Sequence, residues 1–494
     1  MKRMYIVLII AVIGLLLTAC NDQNLEPTEP YPEIHTNLTE NYEDNELEPY
    51  ITDPTDTPTT PYTLVETDEG IQRIFPPGTL TIEHFLEDID SMMYILENNF
   101  ALLDVAYWAW DVEAWALADN VRADVIAAYE AGILCENRYL ALLRINFFPL
   151  LGTGHFDIFT PGRYQSMVTN PYGGYRSLVT AENIRLLETP LALRFYEHRV
   201  RDLNYFGDVH IEVLNETEAV YNRFFGTHLE WMRGRVPRHD GNVYTKVIED
   251  GRIGYISVQS FAGNLHADEH TRVIEFYREI RDFEHLIIDL RGNQGGSISY
   301  ALSTLFHPHL SEMVEVNSFH FFIDGPYIRK HGENIFARTS SNGNLIIPVD
   351  YRPLSEIFEE YYFSDKRIQD FDRLDYGIAS GTGRIHPRSG EDAFAGKIWL
   401  LTDNRMMSAA TQFAWISMET GFATHVGETT GGGLGGLRTL ALLPNTGIAI
   451  YFDVFYITDE RGRPLEAGTI PHHFNREGMD ALETVLALIA EGEY

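Results

Sequence analysis

An α/β fold with a small helical domain ahead of its core is predicted by three observations. From Arg252 onward, apolar runs of strand length alternate with amphipathic stretches of helix length, as in strand–helix units built around a sheet. Two of these runs lie in LIIDLRGNQGG (Leu286–Gly296) and LLTDNRMMSAATQFAW (Leu400–Trp415). Both are continuously apolar up to a turn or a helix start, the pattern of buried strands. Between Thr81 and Phe148 the apolar residues recur at three- and four-residue steps instead, which is the helical period.

The first residues stand apart from any fold. Lys2 and Arg3 precede an apolar run, Tyr5 to Leu17, too short for a transmembrane helix but suited to a signal peptide. It ends Leu17-Thr18-Ala19-Cys20, which resembles the lipobox of bacterial lipoproteins and implies lipidation of Cys20. From Asn21 to Tyr62 the chain is rich in Pro, Thr, Glu and Asp and holds no Lys or Arg. Such a segment buries too little apolar surface to offset its ordering entropy, so it is expected to be an extended tether. The formal net charge of −35 argues against nucleic-acid partners and against direct docking on anionic lipid. Of the two cysteines, Cys135 has no partner once Cys20 is lipidated; it is expected as a buried small hydrophobe without a disulfide.

Leu86–Phe100 and Trp110–Gly132 are expected as helices, with Trp108, Trp110 and Trp115 filling the core between them. Residues 161–250 mix aromatic and polar positions without a sustained period and receive no assigned fold. Beyond Arg252, GYISVQSF, HLIIDL, GKIWLLTD and THVGETT read as strands. His266–Phe283, SISYALSTLF and Ser408–Thr420 read as helices. Two long strands around Pro444-Asn445-Thr446-Gly447 and a helix at Met479–Ala490 close the chain. The expected organisation is a signal peptide over 1–19, a tether over 20–75 and a helical domain over 76–160. An intermediate segment over 161–250 and a core over 251–494 follow.

Ser408 sits where a strand has ended and an alanine-containing helix begins. A serine there serves as an N-cap. The same geometry also sets a hydroxyl beside free backbone N–H groups at the positive end of a helix, which suits a nucleophile with an oxyanion site. In DLRGNQGG, Gly295 and Gly296 follow a buried strand directly, where glycine lets backbone approach a substrate carbonyl.

The pair strand-DLRGN-x-GG and strand-x-x-x-SA-helix resembles the C-terminal processing (tail-specific) peptidases and the related tricorn-core and retinoid-binding-protein-like branch. The likeness runs from Arg252 to His472, with a further piece around His155. It implies a ClpP/crotonase-like core of repeated strand–strand–helix units. Tail-specific members use a lysine in T-x-G-K-G as base; aligned on Thr430-Gly431-Gly432-Gly433-Leu434, that position holds Gly433. The dyad is absent. The tricorn-core branch draws its base from the helical domain and a glutamate from near the C-terminus. GTGHFDIF (Gly152–Phe159) and GRPLEAGTIP (Gly462–Pro471) resemble those stretches and offer His155 and Glu466. Where many relatives carry a polar residue one or two positions before the histidine, this chain has Gly154 and Thr153; Thr153 is the candidate for the orienting role.

The resemblance implies a serine peptidase with a Ser-His-Glu type site. Ser408 is the nucleophile, His155 the base and Glu466 the orienting group, with the N–H groups of Ala409 and Gly295 or Gly296 as the oxyanion hole. A neutral imidazole suits general-base work near neutral pH better than an unshifted lysine. Expected partners are peptides or unfolded proteins, and the membrane through the anchor; no cofactor or metal is implied. The alternative is an inactive surface lipoprotein of the same fold that binds a peptide or a small apolar ligand. Gly431–Gly436 formally matches G-x-G-x-x-G, but strands rather than a helix follow it, which excludes a dinucleotide turn.

Overall fold

A hairpin, β1 (Thr63–Thr67) and β2 (Gly70–Ile74), leads the chain into the structure. The computed structural model describes residues 62–67, 70–169, 181–216, 239, 241–261, 267–326, 352–365, 368, 374–379, 383–386, 394–434 and 436–493. Cys20 and most of the expected tether lie outside the described residues. The tether was expected to run to residue 75, and this end of it is corrected by the hairpin. Phe75 is buried with its ring 4.3 Å from that of His84, and Arg73 pairs with Glu87 at 2.9 Å. These contacts tie the segment down.

Four helices follow: α1 (Ile82–Asn99), α2 (Leu103–Trp110), α3 (Ala114–Glu130) and α4 (Glu136–Asn146). The inner face of α1 buries Phe85, Ile89, Met92, Met93 and Leu96, each contributing about 1.5–3 kcal/mol by transfer from water. Trp110 and Trp115 do not fill this core. They are 37% and 42% exposed, and the Trp115 indole N–H instead donates to Glu97. Cys135, expected to be buried, is exposed at the start of α4. The helical layer also continues past its expected end at residue 160. A short strand β3 (Asp157–Ile158) leads to α5 (Pro161–Thr169), α6 (Ala181–Leu187), α7 (Pro190–Tyr196) and α8 (Leu203–Glu216).

The main sheet then opens with β4 (Val243–Glu249) antiparallel to β5 (Ile253–Val258). Helix α9 (Ala267–Glu279), strand β6 (His285–Asp289) and helix α10 (Ile298–Ala301) follow. Four short strands, β7 (Val314–Val316), β8 (Phe319–Phe322), β9 (Arg352–Pro353) and β10 (Tyr376–Ala379), come next, with α11 (Leu354–Glu360) after β9. Then come β11 (Gly383–Ile385), β12 (Lys397–Thr402), α12 (Ala409–Glu419) and β13 (Thr424–Gly427). A hairpin of β14 (Gly436–Leu442) and β15 (Ala449–Thr458), the edge strand β16 (His473–Phe474) and α13 (Ala481–Glu491) complete the order.

The main sheet runs β16-β13-β12-β6-β5-β4, parallel from β5 to β16. Its central strands are buried on both faces, which explains their unbroken apolar runs. Ile256, Leu286, Ile288 and Leu400 pack under α9 and α12. Tyr255, Ile287, Trp399 and Leu401 pack against Val485 and Leu488 of α13. A second sheet, β14-β15-β8-β10-β9 with β3 on β15, shares its core with the helical layer: Leu440, Phe452 and Val454 cluster with Phe100 and Phe156. So the β14–β15 hairpin, late in sequence, belongs physically with the N-terminal helices. The seam between the two cores is where the functional residues meet. Among the described residues no helix is long and apolar enough to cross a membrane.

Candidate active site

Strands β6 and β12 are parallel neighbours, with Leu401 opposite Asp289, so the loops after them leave the same edge of the sheet. Ligand sites gather at such carboxyl ends. Each loop is braced by an Asp-x-Arg pair. Arg291 donates to Asp289 at 2.7 Å, and Arg405 donates to Asp403 at 2.6 Å. The Gly292 N–H crosses between the loops to Asp403 at 2.9 Å.

Ser408 ends the second loop with φ 54 and ψ −126, backbone values that non-glycine residues rarely adopt. The conformation is held on both sides. Ser408 N–H donates to Gly432 O at 2.9 Å, and Met407 N–H to Asn293 O at 3.1 Å. Although Ser408 precedes α12, its side chain makes no capping bond. Its hydroxyl faces His155 instead.

His155 comes from a tight turn whose backbone is unusual at three positions: Gly152 (φ 97), Gly154 (φ 47) and His155 itself (φ 53). A side chain at Gly154 would collide with Leu102 Cδ1 at 2.4 Å and Phe100 Cε2 at 2.8 Å, so only glycine lets the turn seat on the helical core. That seating brings His155 Nε2 to 3.2 Å from Ser408 Oγ. On the other side of the ring, Nδ1 lies 2.6 Å from Asp453 Oδ2. Asp453 is fully buried in the middle of β15.

The carboxylate on the imidazole is therefore Asp453. Among the described residues Glu466, expected to orient the site, makes no bond to the ring, and neither does Thr153. Glu466 clamps backbone. It accepts from Gly154 N–H at 2.8 Å and from Leu434 N–H at 2.6 Å, pinning the histidine turn to the glycine loop behind Ser408. Its burial pushes its carboxyl up to about 8 against the pull of those donors. Burial also lowers His155 from its ordinary value. Asp453 opposes that shift, while Arg438 and Arg163 add to it.

Of the two glycines after β6, Gly295 reaches the nucleophile. An added Cβ at Gly295 would sit 2.8 Å from Ser408 Cβ and 2.8 Å from Ala409 N, so glycine is required for this approach. Yet Gly295 N–H already donates to Asn293 Oδ1 at 2.8 Å. Phe261 bridges to Gly296 by bonding Gly295 O and Ser297 N, and Gly296 N–H makes no bond among the described residues. Ala409 is the first residue of α12, and its N–H is one of the four without an intrahelical partner. Ala409 N–H, directly after Ser408, is thus left unbonded among the described residues, as is Gly296 N–H, whereas Gly295 N–H is engaged by Asn293.

Two residues near the base escaped sequence reasoning. Asp453 and Arg438 face each other in register across β14 and β15. Arg438 Nη2 lies 2.6 Å from His155 Nε2, and its Nε is 3.4 Å from Asp453 Oδ1, an ion-pair contact longer than a good hydrogen bond. A signal was present: each is a lone charge in an otherwise apolar strand, GLRTLAL and AIYFDVFYIT. A charge so placed must be paired to be buried.

Residues 252–474 match the model of peptidase family S41. Among solved structures, mature CPAF complexed with lactacystin is similar at 14% identity, over 83% of this chain and 99% of that one, with a TM-score of 0.46. A candidate peptidase from Parabacteroides merdae ATCC 43184 is similar at 15% identity, over 82% and 96%, with a TM-score of 0.45. The photosystem II D1 C-terminal processing protease matches at 14% identity over 49% and 50%, with a TM-score of 0.29. These likenesses are too distant to carry a residue's role or a substrate to this chain.

Proposed function

We propose that this chain, whose residues 252–474 match the model of peptidase family S41, is a lipid-anchored extracytoplasmic serine peptidase. The observation that carries the reading is the line Ser408 Oγ–His155–Asp453, with spacings of 3.2 and 2.6 Å. In this mechanism His155 Nε2 takes the Ser408 proton as Oγ attacks a peptide carbonyl carbon. The tetrahedral oxygen then receives the N–H groups of Ala409 and Gly296. His155 next passes the proton to the leaving amine as the C–N bond breaks. A water, deprotonated by the same ring, releases the acyl group and restores Ser408. By the general behaviour of serine hydrolases, one oxyanion donor contributes roughly 2.7–4 kcal/mol.

The chain's N-terminus supports the placement outside the cytoplasm. The apolar run before Cys20 and the acidic segment after it suit an anchor and a spacer. A Cys20→Ser protein that still partitions wholly with membranes would contradict the anchor. Peptides and unfolded proteins are the proposed substrates, taken up as an added strand; efficient cleavage of a folded partner with short peptides ignored would contradict this. The activity itself is tested with a serine-directed fluorophosphonate probe on the purified ectodomain. Labelling of the wild type and its loss in Ser408→Ala is expected; equal labelling of both refutes the assignment. The Arg438–His155 contact favours a second reading, an inactive binding protein of the same fold, which the same probe separates from the first.

A further inference from the structure

Arg438 occupies the atom on which the proposed mechanism depends. Its Nη2 is 2.6 Å from His155 Nε2, nearer than Ser408 Oγ at 3.2 Å. With Nδ1–H given to Asp453, the neutral ring has a single lone pair, on Nε2. A guanidinium is always a donor and always charged, so it takes that lone pair. The serine proton needs the same one. Once Nε2 accepts that proton, a donor faces a donor and two cations stand in contact. The guanidinium must therefore leave Nε2 at or before proton transfer.

Its stem is fixed on β14 opposite Asp453, and its side chain is 13% exposed, so the end that moves is the end that meets the site. Asp453 already serves the Nδ1 side of the ring. What best receives a displaced guanidinium is a planar carboxylate, bound through two parallel N–H bonds. We propose that Arg438 is a positioning and specificity residue that keeps His155 blocked until a carboxylate on the peptide, close to the scissile bond, draws it away. The carboxylate is either the free C-terminus or an Asp or Glu side chain. This proposal rests on the serine-peptidase reading.

The charged and titratable groups facing His155 are Asp453 on β15, Arg438 on β14 and Arg163 on α5, with Glu466 acting through Gly154 N–H. The test compares wild type, Arg438→Gln and Arg438→Lys on matched peptides. One arm sets a C-terminal carboxylate against its amide; the other sets Glu against Gln beside the cleaved bond. The wild type is expected to prefer the carboxylate of one arm by about tenfold or more in kcat/KM, as a site built to pair a polar group rejects its neutral analogue. The arm that shows the preference identifies the source. Arg438→Gln should abolish the preference, mainly by raising kcat on the neutral peptide, and should move the acid limb of kcat to higher pH. Arg438→Lys should keep part of both.

Two results overturn the proposal. One is a wild type without carboxylate preference. Another is an Arg438→Gln protein that is uniformly slower with its preference and acid limb intact. Should the glutamine variant fail to fold, the wild-type comparison and the lysine variant decide. Fluorophosphonate labelling of wild-type Ser408 separates the two levels: labelling without preference sinks only the role of Arg438, whereas neither labelling nor cleavage sinks the peptidase reading with it.

Discussion

His155 Nδ1 meets Asp453 Oδ2 at 2.6 Å across 298 residues of chain, joining the helical layer to the β14–β15 hairpin at the nucleophile. A buried carboxylate in that position fixes which ring nitrogen carries the proton, and stabilises the imidazolium formed as Ser408 attacks. Asp453→Asn should keep the fold but leave the wrong tautomer, lowering kcat by about 10³–10⁴-fold, as amide substitution does in serine-hydrolase triads. Glu466→Gln keeps an oxygen for Gly154 N–H and touches no ring atom, so its loss should be far smaller. Steady-state kinetics on both variants decide the order; an equal loss would return Glu466 to the role of orienting group.

The pH profile carries its own expectation. Burial, reinforced by Arg438, holds His155 below its ordinary value, with Asp453 opposing. A general base works only when neutral, so activity falls as pH drops through that lowered value. The acid limb of kcat/KM should therefore have its midpoint below 6.5, the ordinary histidine value. Glu466, pushed up to about 8, stays protonated across that range and adds nothing to the limb. Rates measured from mildly acidic to neutral pH check this. A midpoint above the ordinary value would mean that Asp453 outweighs burial.

Ser408, Gly296 and Ala409 are singled out by a strand end, a glycine turn and a helix start, and His155 by the resemblance of its turn to that of the tricorn-core branch; the structure brings His155 to Ser408. The same rule gave β5, β6, β12, α12, β13 and the long hairpin to within a few residues. What failed depends on long-range packing. Trp110 and Trp115 fit a helical apolar period, but nothing local says that no element covers that face. Asp453 and Glu466 are both acids in plausible places. Choosing between them requires knowing that β15 pairs with β3, beside the histidine turn. Gly295 shows a subtler limit: the Asn293 side chain two residues earlier takes its N–H, a bond that no strand or turn pattern reveals.

The resemblance to the tail-specific peptidases sets Gly433 at the position of their lysine, and the structure makes a lysine there a poor prospect. Its φ is +74, and an added Cβ would lie 3.0 Å from Ser408 N. A lysine there must strain the loop and press on the bond from Ser408 N–H to Gly432 O that holds the nucleophile. Gly433→Lys should lower kcat/KM by about tenfold or more, since small displacements of reacting groups are costly. It should also fail to rescue His155→Ala. Recovered turnover in the double variant would show that the loop can shift to form a Ser/Lys dyad.

The hairpin that presents Arg438 and Asp453 is itself clamped to the helical layer by Asp88 of α1. This fully buried carboxyl accepts from Asn445 N–H at 2.8 Å, Thr446 N–H at 2.9 Å and the Thr446 hydroxyl at 2.5 Å. Asp88→Ala would orphan three buried donors, each costing about 1–3 kcal/mol, so urea unfolding should show a loss of about 3 kcal/mol or more. Turnover should fall with it, because the strand carrying Asp453 loses its anchor. Burial pushes Asp88 up to about 7, above its unfolded value of about 3.9. Between those values the folded state binds the extra proton, so the Asp88 contribution is complete at low pH and shrinks as pH rises through 7. The stability gap between wild type and Asp88→Ala should therefore be wider at pH 5 than at pH 8. A gap that widens toward alkaline pH would mean that the three donors, rather than burial, set the charge of this carboxyl.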